Sequence, residues 1–139
     1  ARSSRWCDVK AAVLLALTLG LLACESADGP KDPVWGKQPC GSCAMLVSEP
    51  PHAAQLVTAD GTRVYFDDLG CMASWVLERN ASPPKMWVRD AAGAWVDARS
   101  AKFKGGGKTP MDFGFSHAAD GDASWADVER AAKKRAEKR

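Results

Sequence analysis

Two short runs of β-branched and aromatic residues, at 54–58 and 62–66, form the clearest hydrophobic pattern in the middle of the chain. Asp60 and Gly61 lie between them, and an Asp-Gly pair readily adopts the positive φ angles that a tight hairpin turn requires. The pattern therefore predicts two antiparallel strands joined by a short turn.

A helical period replaces the strand pattern directly after this hairpin. Asp67 or Asp68 can serve as the N-cap, because a short carboxylate side chain accepts hydrogen bonds from the free N–H groups of a first helical turn. The helix is expected to end at Glu78, since Asn80 and a Pro-Pro pair follow. Its apolar face should contain Leu69, Met72, Ala73, Val76 and Leu77. Within that face, we expect Met72 to fill the core.

The same order of elements partly recurs in the second half of the chain. Strands are predicted at 85–90 and 94–98 around a Gly-containing turn, then at 101–104 and 113–117 on either side of a Gly-rich loop. Residues 120–124 supply capping side chains for a last helix. The buried face of that helix should contain Trp125, Val128, Ala131 and Ala132.

This order of elements indicates an α+β fold made of two related small β-hairpin-plus-helix units packed together. The folded domain is expected at 40–139, with subdomains at about 40–82 and 83–139. A domain of this size offers one small core, so it is not an obvious large-pocket enzyme.

The N-terminal region has the pattern of a lipoprotein signal peptide at 1–23. Its apolar run at 11–23 matches a signal-peptide core in length and falls short of the ~20 residues that span a bilayer. Three basic residues precede the run: Arg2, Arg5 and Lys10. The run ends in Leu-Leu-Ala before Cys24, a lipobox-like sequence in which the Cys becomes the lipidated first residue. The alternative is a buried core helix with an incidental Cys.

Residues 24–39 are rich in Pro, Gly and charge, and they are predicted to form a flexible tether from the lipid anchor. These features place the mature protein in the bacterial cell envelope, lipid-anchored and facing the periplasm. Glu25 after the acylated Cys suits the outer membrane by the usual sorting preference.

Removal of residues 1–23 takes away three of the 19 basic and one of the 17 acidic residues, so that 16 of each remain. A neutral chain argues against a nucleic-acid partner, which would call for a basic excess. Three cysteines remain in the predicted domain: Cys40, Cys43 and Cys71. In an oxidising compartment an odd number leaves at least one thiol unpaired or bound to something else.

Cys43 and Met45 are the central candidates for chemistry. On an extended segment, two residues at this spacing project from the same face. A thiolate beside a thioether is a soft donor pair, and soft sulfur ligands favour Cu(I). Met111, in a loop after a Pro, could add a third soft donor. The alternative is that Met45 is a buried residue next to a disulfide Cys and that Met111 is a packing residue.

Three further side chains have weaker claims. His52 and His117 could bind copper or zinc, but each is more often an ordinary surface histidine, and neither is assigned as a ligand. Cys71 is expected to be a buried thiol, with a disulfide to Cys40 as the second possibility.

The Cys43-Ala44-Met45 element after a lipobox resembles the nitrous-oxide-reductase accessory lipoprotein family, NosL. The resemblance also covers the segments CGSCAM, AAQLVTADGTRVYFDDLGCM, WVRDAAGAWVDARSAKF and TPMDFGF, in that order. It implies two related halves, Cu(I) bound through Cys43 and Met45, and Met111 at a less specific third position. Cys40 is a departure, because some relatives have this Cys and others lack it.

The resemblance implies a copper chaperone, not an enzyme, that delivers Cu(I) to nitrous oxide reductase or another copper-requiring enzyme. Two rivals follow from the residues. Cys40 and Cys43 could form the dithiol of a thiol–disulfide oxidoreductase, although the residues after them are a poor helix. Alternatively Cys40, Cys43, Cys71 and one His could hold a structural zinc, although a second closely spaced ligand pair is missing.

Overall fold

The computed structural model describes residues 29–138. Within them the chain forms two α-helices, a 3-10 helix at Pro50–His52 and six strands. The strands are β1 (Ala54–Val57), β2 (Arg63–Phe66), β3 (Lys85–Arg89), β4 (Trp95–Asp97), β5 (Phe103–Lys104) and β6 (Ser116–His117). The helices are α1 (Leu69–Glu78) and α2 (Trp125–Ala136). The predicted α+β class is confirmed.

Four strands form one antiparallel sheet in the order β2-β1-β3-β4. The first hairpin turns as its Asp-Gly pair predicts, with Gly61 at φ +85°. The second hairpin joins the first through β1 and β3, where Leu56 lies opposite Met86. Both hairpins therefore belong to one continuous sheet, and the proposed division near residue 82 stays a prediction.

Helix α1 begins where its cap was predicted. The Asp68 carboxylate accepts a hydrogen bond from the Gly70 N–H at 2.7 Å, and the last helical residue is Glu78. The buried face of α1 contains Met72, which is fully buried, so its predicted core role is confirmed. This face packs against β1, β2 and helix α2.

The second half differs from prediction in its short strands. Only residues 116–117 of the predicted strand at 113–117 are extended and paired. The Thr109 hydroxyl oxygen accepts the N–H groups of Phe113 at 3.0 Å and Gly114 at 3.2 Å. These side-chain bonds, together with Gly114 at φ +87°, hold the segment as a turn. Helix α2 buries Trp125, Val128 and Ala132, while Ala131 is only half-buried.

Part of the predicted tether is docked against the sheet. The backbone of Lys31 exchanges two hydrogen bonds with the buried side-chain amide of Gln55, at 2.9 and 3.1 Å. Asp32 accepts hydrogen bonds from Arg89 at 2.6 Å and from the Trp95 indole at 2.8 Å. Residues 29–36 therefore cover one face of the sheet, and specific contacts begin before the expected start at residue 40. We call this segment the N-terminal strap.

The predicted signal peptide and Cys24 lie outside the described residues. Among residues 29–138, no helix has both the length and the apolar composition needed to span a membrane.

Candidate metal centre

The segment 40–45, which we call the cysteine loop, is held in place by backbone hydrogen bonds. The Cys40 N–H donates to the Met45 carbonyl at 2.7 Å, which closes the loop on itself. The Gly41 N–H donates to the Tyr65 carbonyl at 2.8 Å, which fixes the loop to β2. A Cβ at Gly41 would overlap the Val64 side chain, so only glycine permits this close approach. The first hairpin thus positions both Cys40 and Cys43.

The third cysteine comes from helix α1. Cys71 lies in the first turn of α1, three residues after the Asp68 cap. The sulfur atoms of Cys40, Cys43 and Cys71 all lie within 4.8 Å of one another, and all three are free thiols. Cys71 is buried, as predicted. We call these three side chains the thiol cluster.

Hydrogen bonds and burial shift the pKa values of the three thiols in different directions. The Cys71 thiol hydrogen-bonds to the Cys40 sulfur, and the backbone groups of Cys43, Asp67 and Ser42 add further hydrogen bonds there. These contacts outweigh burial and lower the pKa of Cys40 from 9.0 to about 5. The same bond with Cys40, reinforced by burial, raises the pKa of Cys71. Burial also raises the pKa of Cys43. The cluster therefore favours one buried thiolate at neutral pH.

The Asp68 carboxylate joins the loop that carries Met111 to the first turn of α1. One oxygen of this carboxylate caps α1, and the other accepts the Met111 N–H at 2.9 Å. Arg135, from helix α2, donates to the Met111 carbonyl at 2.9 Å. The Phe113 ring packs against Gly70, where a Cβ would overlap the ring. Residues from both helices thus fix the position of this loop.

A cleft of about 410 Å³ opens between the two helices and this loop. Cys43, Cys71 and Met111 line it, together with Arg135. Two of the three predicted ligands, Cys43 and Met111, therefore face one cavity that holds a further thiol.

Met45 is not among the residues that line the cleft, and its side chain is 55% exposed. Ala44 adopts φ +60°, a left-handed conformation that is uncommon for residues other than glycine. The expectation that this segment is extended is therefore wrong, because the chain turns at Ala44. The ligand set of Cys43, Met45 and Met111 stays a prediction.

Neither histidine belongs to the thiol cluster. The Nδ1 of His52 is 3.4 Å from the Ser116 hydroxyl, and its Nε2 is 4.0 Å from Glu49. His117 lies in β6, opposite Phe103. Among residues 29–138, no His, Asp or Glu joins the three thiols as a possible ligand. The fourth ligand that a structural zinc site requires is therefore not supplied by either His.

The sequence indicated Cys40 and Cys43 as neighbours, whereas Cys71 entered as a ligand only in the structural-zinc alternative and Asp68 was expected only as a helix cap. One signal was available: Cys71 follows a predicted N-cap by three residues, so it had to lie in a first helical turn. There the helix dipole favours a thiolate, but the hydrogen bond with Cys40 and burial outweigh it and raise the pKa of Cys71.

Neither protein-family models nor curated proteins give a match to this chain. A comparison with solved structures finds the copper chaperone NosL from Shewanella denitrificans. The two chains share 18% identity and superpose with a TM-score of 0.56, over 76% of this chain and 87% of that one. The resemblance to the NosL family is confirmed at the level of the fold.

Proposed function

We propose that this protein is a Cu(I) chaperone that holds the ion with cysteine and methionine sulfur and passes it to a copper-requiring enzyme. The observation that carries the proposal is the meeting of three thiols within 4.8 Å beside a cleft that Met111 also lines. Fold similarity to the copper chaperone NosL from Shewanella denitrificans supports it.

The donor set selects the metal. Thiolate and thioether sulfurs are soft donors, which suit Cu(I) and disfavour hard cations such as Mg²⁺ or Ca²⁺. Cu(I) also accepts low coordination numbers, so three sulfurs suffice, whereas zinc sites are almost always completed to four ligands. The described residues place no carboxylate or imidazole in the cluster.

A carrier must also release its ion. Cys43 is half-buried and Met111 is partly exposed at the cleft, while Met45, the last residue of the cysteine loop, is largely exposed. Ligands of a recipient can reach an ion held by these side chains and replace them one at a time. A thiol–disulfide oxidoreductase would need an accessible nucleophile, and Cys40, which has the lowered pKa, is only 5% exposed.

The finer proposal assigns Cys43 as the anionic ligand and Met45 and Met111 as neutral ligands. The recipient is nitrous oxide reductase or another copper-requiring enzyme. Lipidation at Cys24 tethers the protein in the cell envelope, facing the periplasm and most consistently on the outer membrane. The lipobox-like sequence supports this location, and a tether raises the local concentration near a membrane-associated partner.

Anaerobic titration of the reduced protein with Cu(I), against a competing chelator, tests the proposal. Cys43→Ser is expected to weaken binding at least ~10-fold, equivalent to about 1.4 kcal/mol. Met45→Ile and Met111→Ile should each change the affinity by a smaller factor than Cys43→Ser does. Met86→Leu is the matched control, because Met86 is a buried thioether in β3 rather than a cleft residue. Wild-type affinity in all of the first three variants would refute the proposal.

A further inference from the structure

We infer that the thiol cluster is an inner holding site for one Cu(I), distinct from the methionine-containing set at the surface. Cys43 belongs to both sets and is the side chain through which the ion moves outward. This inference rests on the proposed function and deepens it. It assigns ligand roles to Cys40 and Cys71.

The spacing of the thiols fits a three-coordinate ion. With metal–sulfur distances of about 2.3 Å, three sulfurs in a plane around one ion stand about 4.0 Å apart. The three sulfurs here are already within 4.8 Å of one another. Small side-chain rotations therefore complete the site, and each thiol that ligates the ion loses its proton to solvent.

Burial orders the two sets along one path. Cys40 and Cys71 are 5% and 6% exposed, whereas Cys43 is half-buried and Met45 is mostly exposed. An ion on the thiol cluster is thus less exposed than one on Cys43 and the methionines, and it is reached only from the cleft that Cys43 and Cys71 line. An ion on Cys43 with methionines is within reach of a recipient. The protein can hold copper tightly and release it without one site meeting both requirements.

The surroundings also favour excess negative charge on three thiolates around a monovalent ion. Backbone groups of Ser42, Cys43 and Asp67 hydrogen-bond to the Cys40 sulfur. Cys71 lies at the positive end of the α1 dipole. The guanidinium of Arg135 lines the same cleft.

Selenomethionine labelling separates the two ligand sets. In the labelled protein, cysteine ligands remain sulfur and methionine ligands become selenium, so copper-edge X-ray absorption counts them separately. With one equivalent of Cu(I), we expect three sulfur neighbours and no selenium. Cys40→Ala and Cys71→Ala should each lower the sulfur count, bring selenium into the copper shell, and speed release to a chelator at least ~10-fold.

A thermal melt of the metal-free protein detects whether either alanine variant unfolds. The wild-type X-ray absorption spectrum tests the inner site without those variants. One sulfur with one or two seleniums in the wild type would overturn the inner site and leave the proposed function intact. A wild-type protein that binds no Cu(I) would overturn both.

Discussion

Asp68 offers the sharpest test of how the fold builds the cleft. Its side chain is fully buried, and its two carboxylate oxygens serve two different elements. One oxygen caps helix α1 at the Gly70 N–H, and the other holds the Met111 N–H. A single side chain therefore fixes both the first turn of the helix that carries Cys71 and the loop that carries Met111.

Two substitutions separate these functions. Asp68→Asn keeps one oxygen for the helix cap but points an NH₂ donor at the Met111 N–H. Losing a hydrogen bond to a charged group costs about 1.5–3 kcal/mol, so Asp68→Asn should lower the free energy of unfolding by about 2 kcal/mol. Asp68→Ala also removes the cap, which is worth about 1 kcal/mol, so its total loss should be about 2.5–4 kcal/mol.

Urea unfolding of the reduced, metal-free protein measures both losses, and Cu(I) competition measures the effect on the site. Asp127→Asn is the matched control, because Asp127 accepts the Ser124 N–H at 2.8 Å at the start of α2, far less buried than Asp68. The control should cost at most about 1 kcal/mol and leave Cu(I) affinity unchanged. If Asp68→Ala unfolds within about 0.5 kcal/mol of wild type, the structural role assigned to this carboxylate is wrong.

Three further predictions concern the site and its support. Gly70→Ala forces the Phe113 ring away from α1 and should cost about 1–3 kcal/mol in urea unfolding, with weaker Cu(I) binding. In the metal-free protein, the lowered pKa of Cys40 should keep one thiolate down to about pH 5, visible in its ultraviolet absorbance; denatured protein should show none until near 9.0. Because folding depresses the pKa of Cys40, the stabilisation that Cys40 contributes is complete above pH 9.0 and is lost as the pH falls through about 5. Folding raises the pKa of Cys71, so the stabilisation that Cys71 contributes is present below pH 9.0 and is lost as the pH rises above that value. Arg89→Ala removes the ion pair with Asp32 and the cation–π contact with Trp35, both in the N-terminal strap, and a second cation–π contact with Trp95 in β4. It should lower the free energy of unfolding by about 1–3 kcal/mol and expose the strap to proteases. Equal rates of proteolysis in variant and wild type would contradict this.

Local signals predicted most of the fold. The Asp60-Gly61 turn, the Asp68 cap and the stop after Glu78 are each encoded within a few residues, and the structure confirms all three. The strand predicted at 113–117 is shorter in the structure, at 116–117, because the Thr109 hydroxyl oxygen accepts hydrogen bonds from two backbone N–H groups at 113 and 114. No periodicity in the sequence reports such a contact.

The candidate site was less predictable because it depends on distant contacts. Cys40 and Cys71 are brought together only when the cysteine loop docks on β2 and α1 packs behind it. The left-handed backbone at Ala44 is likewise imposed by loop closure, since alanine itself does not favour that conformation. Softness of the donors could be inferred from composition, whereas the number of sulfurs in contact could not.

The N-terminal strap has a practical consequence for anyone who shortens this chain. Starting the protein at residue 40 would remove the two backbone partners of the Gln55 amide and the Asp32 carboxylate that accepts the Trp95 indole N–H. Such a fragment would expose the face of the sheet that the strap covers, including Trp95, and would tend to self-associate. Poor solubility of that fragment would then reflect the missing strap rather than a defect in the thiol cluster.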